Sequence, residues 1–456
     1  MKRRNALLCL LLAMLFALSS VLAGCGSTAT PAASNAASSS AASSDAPAAT
    51  PEASSASASA TPEAATPATV KFAIFSASGD NQPHFDKMVA AFSKAFPHIT
   101  LEPEVIGYGD YFTQMQTRIA GGSAPDCYEL NYENFVGYAK RDVLLPLDTL
   151  FTDSGFDTTA MNANALNAFK ADGKQFGLPA SFSDVLLFYN KDLFDKAGAA
   201  YPTKDWTWKE EQAAAEKIRA LGDDIYGINH PIQFWEFYKV VRQNGGSLLN
   251  DNMSAFTVNT PQNVETLQFM VDRQLKTNVM PTEAQLAGMG DWDLFKAGRL
   301  GMIVTGIWAI PSFTSDCKFN WDVEIEPGMK AKATHFFANG LVISKDTQVP
   351  AAAFEWIRFM SASKEVADIR VAAGWELPAI TDETVLKAYL DLTPPANRKA
   401  VFESLDYLVT PPVIEQFAEM SDIIGAKLTE AATGKKTPAE ALEAAQKELE
   451  AKIKLN

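Results

Sequence analysis

From Val70 onward the apolar residues of this chain alternate between two periods. Val70-Lys71-Phe72-Ala73-Ile74-Phe75 is a mostly apolar run of strand length. Phe85, Met88, Val89, Phe92 and Phe96 then recur at helical spacing, and Pro97 stops that helix. Residues 101–106 predict a second strand, and Phe112, Met115 and Ile119 mark a second helix. Gly121-Gly122 and Ala124-Pro125-Asp126 lead into a third strand at residues 127–130. Strands and helices alternating in this order predict an α/β fold built on a parallel sheet with right-handed crossovers.

The middle of the chain keeps the mixture. Phe176-Gly177-Leu178-Pro179 and residues 185–189 are extended apolar segments. Thr207-Trp208-Lys209-Glu210 opens a helix with a capping box, in which hydroxyl and carboxylate satisfy the first backbone N–H groups. Thr260-Pro261 starts another helix, with Val264, Leu267, Met270, Val271 and Leu275 on one face. Residues 300–304 read as a strand running into Gly306-Ile307-Trp308. The last third is mostly helical, and Thr437-Pro438-Ala439-Glu440 is a second capping box. No internal repeat is visible.

The amino terminus follows neither period. Met1-Lys2-Arg3-Arg4 precedes an apolar run, residues 6–18, and then Leu22-Ala23-Gly24-Cys25. A basic start, a short apolar core and small residues before a cut describe a secretory signal over residues 1–24. Crossing a bilayer takes about 20 apolar residues, more than this run supplies. Cys25 directly after the small pair resembles a bacterial lipobox, which implies a lipidated new N-terminus. Residues 25–69 are almost entirely Ala, Ser, Thr and Pro, with only Asp45, Glu52 and Glu63 charged. They cannot bury enough apolar surface to offset ordering, so a disordered tether is expected. As a flexible coil it would span about 35–40 Å.

With 456 residues, the chain is too long for one simple core once signal and tether are removed, which points to two lobes. Losing Lys2, Arg3 and Arg4 takes the formal charge from −15 to −18. That repels nucleic acid and anionic lipid surfaces, so a lipid anchor is the expected route to the membrane. Beyond Cys9 and Cys25 only Cys127 and Cys317 remain; export permits a bridge between them, and two separate thiols are the alternative. His84, His98, His230 and His335 are scattered, and no Cys-x-x-Cys accompanies them, so no metal spacing is seen. Gly434-Lys435-Lys436-Thr437 lacks the earlier glycine of a phosphate loop, where Thr429 stands. No cofactor is expected.

From Val70 to the C-terminus the chain resembles the extracellular solute-binding proteins of sugar ABC transporters, the family that includes maltose-binding protein. The likeness is carried by Ala124-Pro125-Asp126, Glu129-Leu130-Asn131, Leu144-Leu145-Pro146-Leu147 and Gly177-Leu178-Pro179. Its most specific part is Tyr189-Asn190-Lys191-Asp192-Leu193-Phe194. Trp206-Thr207-Trp208, Phe295-Lys296-Ala297-Gly298, Gly306-Ile307-Trp308 and Asn339-Gly340-Leu341-Val342-Ile343-Ser344 extend it. The resemblance implies a two-lobed periplasmic-binding-protein fold with a hinge and an inter-lobe ligand cleft. By analogy residues 70–182 plus 311–344 form the first lobe, and residues 183–310 plus 345–456 the second. It further implies capture of a sugar or oligosaccharide by lobe closure, delivery to ABC permease subunits, and a monomer without enzymatic activity.

A saccharide offers apolar faces and a rim of hydroxyls, so its site needs aromatic rings beside carboxylates and amides. The resemblance places stacking aromatics at Trp235 and Trp308; Trp375, in Gly374-Trp375-Glu376, is a third candidate, with Glu376 beside it. Trp206, Trp208, Trp321 and Trp356 read as structural. Loops at the carboxyl ends of parallel strands line the ligand crevice of open α/β sheets. That rule selects Asp80 after the first strand, and Asn131 and Tyr132 after the third, with Glu129 within it. Ser181, Ser183 and Asp184 lie near the first crossing between lobes, and Asn339 on the returning segment. Many relatives carry an acid where Ser183 stands, which leaves the hydroxyl contacts open. Two other readings share these residues: a small cation such as a polyamine in an acidic aromatic box, or a secreted glycoside hydrolase.

Overall fold

The computed structural model describes residues 66–286 and 288–455. The expected signal, Cys25 and most of the tether lie outside the described residues. The first expected strand is present as Ala68–Ile74, and it pairs in parallel with Ile99–Val105 and with Cys127–Asn131. Its side chains alternate between two cores. Val70, Phe72 and Ile74 face the helices Gln82–Ala95 and Pro350–Ala362, while Ala73 and Phe75 face the opposite core. Trp356 fills the first of these, edge-on to Phe72 at 5.2 Å and to Phe92 at 4.9 Å.

The completed sheet is mixed rather than parallel. Its order is Leu377–Pro378, Gly177–Ser183, Phe337–Ile343, Cys127–Asn131, Ala68–Ile74, Ile99–Val105. Phe337–Ile343 runs antiparallel to both neighbours because the chain re-enters the sheet from the other lobe. Pro179 sits inside a central strand, where it removes a ladder donor. The register skips one residue there, with Asn339 opposite Ser181 and Gly340 opposite Pro179, and the bulge accommodates it. Gly340 has a separate reason: a Cβ would meet the Phe169 ring at 2.6 Å.

A second sheet has the order Trp321–Glu324, Val185–Asn190, Leu300–Gly306, Tyr226–Asn229, and only its last pair is parallel. Both expected capping boxes form, at Thr207/Glu210 and at Thr437/Glu440. The helices Phe234–Gln243, Pro261–Leu275, Phe417–Ala432 and Pro438–Lys452 pack together beside this sheet. Leu275, expected on the apolar face of its helix, is instead exposed. Cys127 and Cys317 are both free thiols. None of the described helices is long and apolar enough to cross a membrane.

These pairings move two of the expected lobe limits. Trp321–Glu324 belongs to the second sheet, its tryptophan stacked near Phe188 at 5.9 Å, so the return to the first lobe starts near Phe337 and not at residue 311. The helices Pro350–Ala362 and Lys364–Ala373, and the strand Leu377–Pro378, pack on the first sheet rather than joining the second lobe. The apolar surface around Trp356 decides this, since it matches the outer face of the first sheet.

Asp184 stands where the chain leaves one sheet for the other and is fully buried. Its carboxylate accepts the Ser404 hydroxyl, and burial pushes its pKa up to about 8. Burial likewise raises Glu326, against the pull of the Lys239 ammonium bonded to it. A folded-state pKa above the unfolded one means stability that is complete below about pH 4 and is lost as pH rises through 8. Melting curves should therefore show a Tm contribution that falls between about pH 4 and about pH 8 and levels off above, and Asp184→Asn should flatten that fall. An unchanged slope in the variant would contradict the assignment.

Candidate functional site

The two sheets direct the carboxyl ends of several strands at one cleft of about 440 Å³. Phe75, Ser76 and Ser78 follow Ala68–Ile74, and Asn131 ends Cys127–Asn131. From the second sheet come Trp235, after Tyr226–Asn229, and Trp308, after Leu300–Gly306. This is the crevice rule for α/β sheets, applied from both sides at once.

Three partly exposed tryptophans form the second-lobe wall. Trp308 folds back over its own strand end, which only a glycine permits: a Cβ on Gly306 would lie 1.9 Å from the indole. Its ring stands edge-on to Phe337 at 5.0 Å, and Trp235 is tilted against the same phenyl at 6.1 Å. Trp292 donates its indole N–H to Thr305 Oγ1 at 3.2 Å. On the first lobe Tyr108 is 49% exposed and packs edge-on to Phe75 at 5.4 Å. Trp375 also borders the cleft but is only 1% exposed, so it offers little stacking surface.

Polar groups close the floor. Glu376 accepts the Ser181 hydroxyl and the Asn339 amide, the latter at 3.3 and 3.4 Å. Asn131 caps the helix Tyr132–Lys140 through its side-chain oxygen and turns its amide toward the Tyr108 hydroxyl at 3.4 Å. Across the cleft, Asn229 donates to Asp291 at 3.2 Å, and burial raises the Asp291 carboxyl above its usual range. Glu236 accepts from Lys239 at 2.8 Å and pairs with His230 at 2.8 Å. Against its burial, the Lys239 ammonium and the hydrogen bond with His230 hold its pKa down to about 2. His230, Glu236 and Glu326 bring ligating atoms within 4.8 Å of one another, but Lys239 Nζ bonds both carboxylates and already supplies their cation. Among the described residues that line the cleft there is no lysine or arginine.

Six sequence candidates thus meet at the cleft: Trp235, Trp308, Trp375, Asn131, Asn339 and Glu376. The other six do not line it. Glu129 lies behind the floor, accepting the backbone N–H groups of Phe75 and Ser76 at 2.9 Å and the Ser76 hydroxyl at 2.6 Å. Burial raises its carboxyl to about 7 despite those bonds. Ser181 is spent on Glu376, Asp184 holds the crossing with Ser404, and the hydroxyl of the buried Ser183 has no hydrogen-bond partner among the described residues. Asp80 is exposed beyond the rim. Tyr132 turns to a separate hollow of about 490 Å³, shared with Tyr238 and Arg242.

Sequence reasoning missed Tyr108, Trp292, Asp291 and Phe337. Tyr108 was within reach, because it follows the strand Ile99–Val105 and obeys the rule that selected Asn131. Trp292 precedes Phe295-Lys296-Ala297-Gly298 by three residues, and nothing in its own neighbourhood separates it from a core tryptophan.

The model of the family described as bacterial extracellular solute-binding protein matches residues 77–368. A solved ABC substrate-binding protein from Listeria monocytogenes, in complex with cycloalternan, is 44% identical; the match covers 86% of this chain and 100% of that one, with a TM-score of 0.83. The acarbose-binding GacH receptor of Streptomyces glaucescens is 21% identical over 85% of this chain and 98% of its own, with a TM-score of 0.76, and shares the fold. An arabinooligosaccharide-binding protein of Bacillus subtilis is 22% identical over 65% of this chain and 70% of its own. Two lobes, a cleft fed by both sheets and these matches lead to one conclusion: the chain belongs to the bacterial extracellular solute-binding proteins, which are extracytoplasmic substrate-binding components of transporters rather than enzymes.

Proposed function

We propose that this protein captures an oligosaccharide, cycloalternan or a close relative of it, and delivers it to an ABC permease. The observation that carries this reading is the cleft surface itself. Exposed indole and phenol faces suit the apolar face of a sugar, and carboxylates and amides suit its hydroxyls. Identity of 44% to a cycloalternan complex, over the whole of that chain, narrows the sugar class. A polyamine would need uncompensated carboxylates. Glu236 already carries Lys239, and Glu376 has the Arg370 guanidinium 3.8 Å away, so most of the acidic rim is answered from within.

In this reading the first lobe comprises residues 66–183 and 337–378, and the second residues 185–324 and 397–455. They close about the crossings at Ser183–Asp184 and near Phe337, because only the closed form touches the saccharide from both sides. The protein works as a monomer, anchored by lipid on Cys25 and held off the membrane by the Ala/Ser/Thr/Pro segment.

A thermal-shift panel of oligosaccharides on the tether-free protein tests the class: stabilisation by cycloalternan without any product supports it, and stabilisation by a polyamine alone overturns it. Trp308→Ala should weaken binding by about 2–4 kcal/mol, roughly 30- to 900-fold, as losing a central aromatic anchor does. Gly306→Ala should approach the same loss while leaving the fold intact, because its methyl group must push the indole off the strand end. Calorimetry giving wild-type affinity for either variant would contradict the cleft geometry.

A further inference from the structure

Arg370 is a buried cation that the cleft chemistry above leaves unused. It lies on the last turn of Lys364–Ala373 and is 0% exposed, and none of its three side-chain nitrogens has a hydrogen-bond acceptor among the described residues. Leaving a guanidinium in that state is costly, so its surroundings must offset the lost hydration.

The local backbone shows how. Gly374, at φ +64°, ends the helix; its N–H bonds Val371 O at 2.8 Å and the Trp375 N–H bonds Arg370 O at 3.1 Å. That is a Schellman turn, which normally packs an apolar side chain after the turn onto one from the last helical turn. Here the pair is Trp375 and Arg370, with the guanidinium carbon 4.5 Å from the indole centroid. The next residue, Glu376, is placed so that Oε2 lies 3.8 Å from Arg370 Nη1. Leu377–Pro378 then joins the sheet edge, which prevents the turn from relaxing. Burial lowers the Arg370 pKa, and the carboxylates of Glu376 and Glu129 oppose that.

We propose that Arg370 is a positioning residue for ligand recognition: from behind the cleft it fixes the Trp375 ring and aims the Glu376 carboxylate at the saccharide. Glu376 has two oxygens and about four acceptor sites, of which Ser181 and Asn339 use only part. The remainder faces the cleft and receives ligand hydroxyls, so the charge behind it sets how strongly it accepts. This step rests on the saccharide reading given above.

The test is a double-mutant cycle with Arg370→Met, Arg370→Lys and Glu376→Gln, read by calorimetry with cycloalternan. Arg370→Met should weaken binding about 10- to 100-fold, Arg370→Lys should recover part of that loss by restoring the charge, and in the Glu376→Gln background Arg370→Met should cost less than about threefold. Equal losses in both backgrounds, or wild-type affinity in folded Arg370→Met, overturn the proposal. Should Arg370→Met not fold, Arg370→Lys with and without Glu376→Gln closes the same cycle, and an undiminished loss in the double variant overturns it. If the wild type binds no saccharide, the functional reading fails. The pairing is then judged from urea denaturation of the same variants: additive midpoint shifts reject it and non-additive shifts support it.

Discussion

The ring of Phe337 is the contact on which the rest of the cleft depends. It stands where the chain re-enters the first sheet, and two second-lobe indoles rest on it, Trp308 at 5.0 Å and Trp235 at 6.1 Å. His335 stacks on it, 3.3 Å from ring centre to ring centre. His335 in turn joins Glu133 of the first lobe at 3.0 Å and Tyr238 of the second. A ring in that position ties the aromatic wall to the segment that re-enters the first sheet. The cleft is thereby assembled by topology, since the strand that brings Phe337 back must run antiparallel between two strands of the first sheet.

Charge is handled by the same economy. The buried acids near the cleft are each answered locally: Glu236 and Glu326 by Lys239, Glu129 by backbone N–H groups and a hydroxyl, and Glu376 by Ser181, Asn339 and the nearby Arg370. Breaking one partner of such a group leaves an uncompensated charge, which costs more than the pair contributes. Among the described residues, the surface that lines the cleft is therefore polar and aromatic without a lysine or arginine, which suits the neutral saccharide proposed above.

Much of this was legible in the chain, for identifiable reasons. Residues 185–189 and 300–304 are apolar runs because those strands are covered on both faces, and such runs show up directly. The same property hid Glu129, since a strand buried on both sides gives period two no outward face to choose. Lobe limits were less legible. Trp321–Glu324 is too short to show which sheet it joins, and the apolar helix around Trp356 announces burial without naming its partner. Among the candidates, the strand-end rule alone found Asn131; Asp80 and Tyr132, chosen by the same rule, lie away from the cleft, and Trp235 and Trp308 came from the resemblance. Trp292 and Asp291, brought in by the short helix Asp291–Lys296, carry no such mark.

The central claim is that a saccharide lies against Trp308 and Trp235 with its hydroxyls on the opposite floor. A crystal structure of the tether-free protein grown with cycloalternan tests this most directly. The account predicts sugar density in the cleft, one ring face on the Trp308 indole and a hydroxyl on Glu376. Density elsewhere, with both indoles covered by protein side chains, would contradict it.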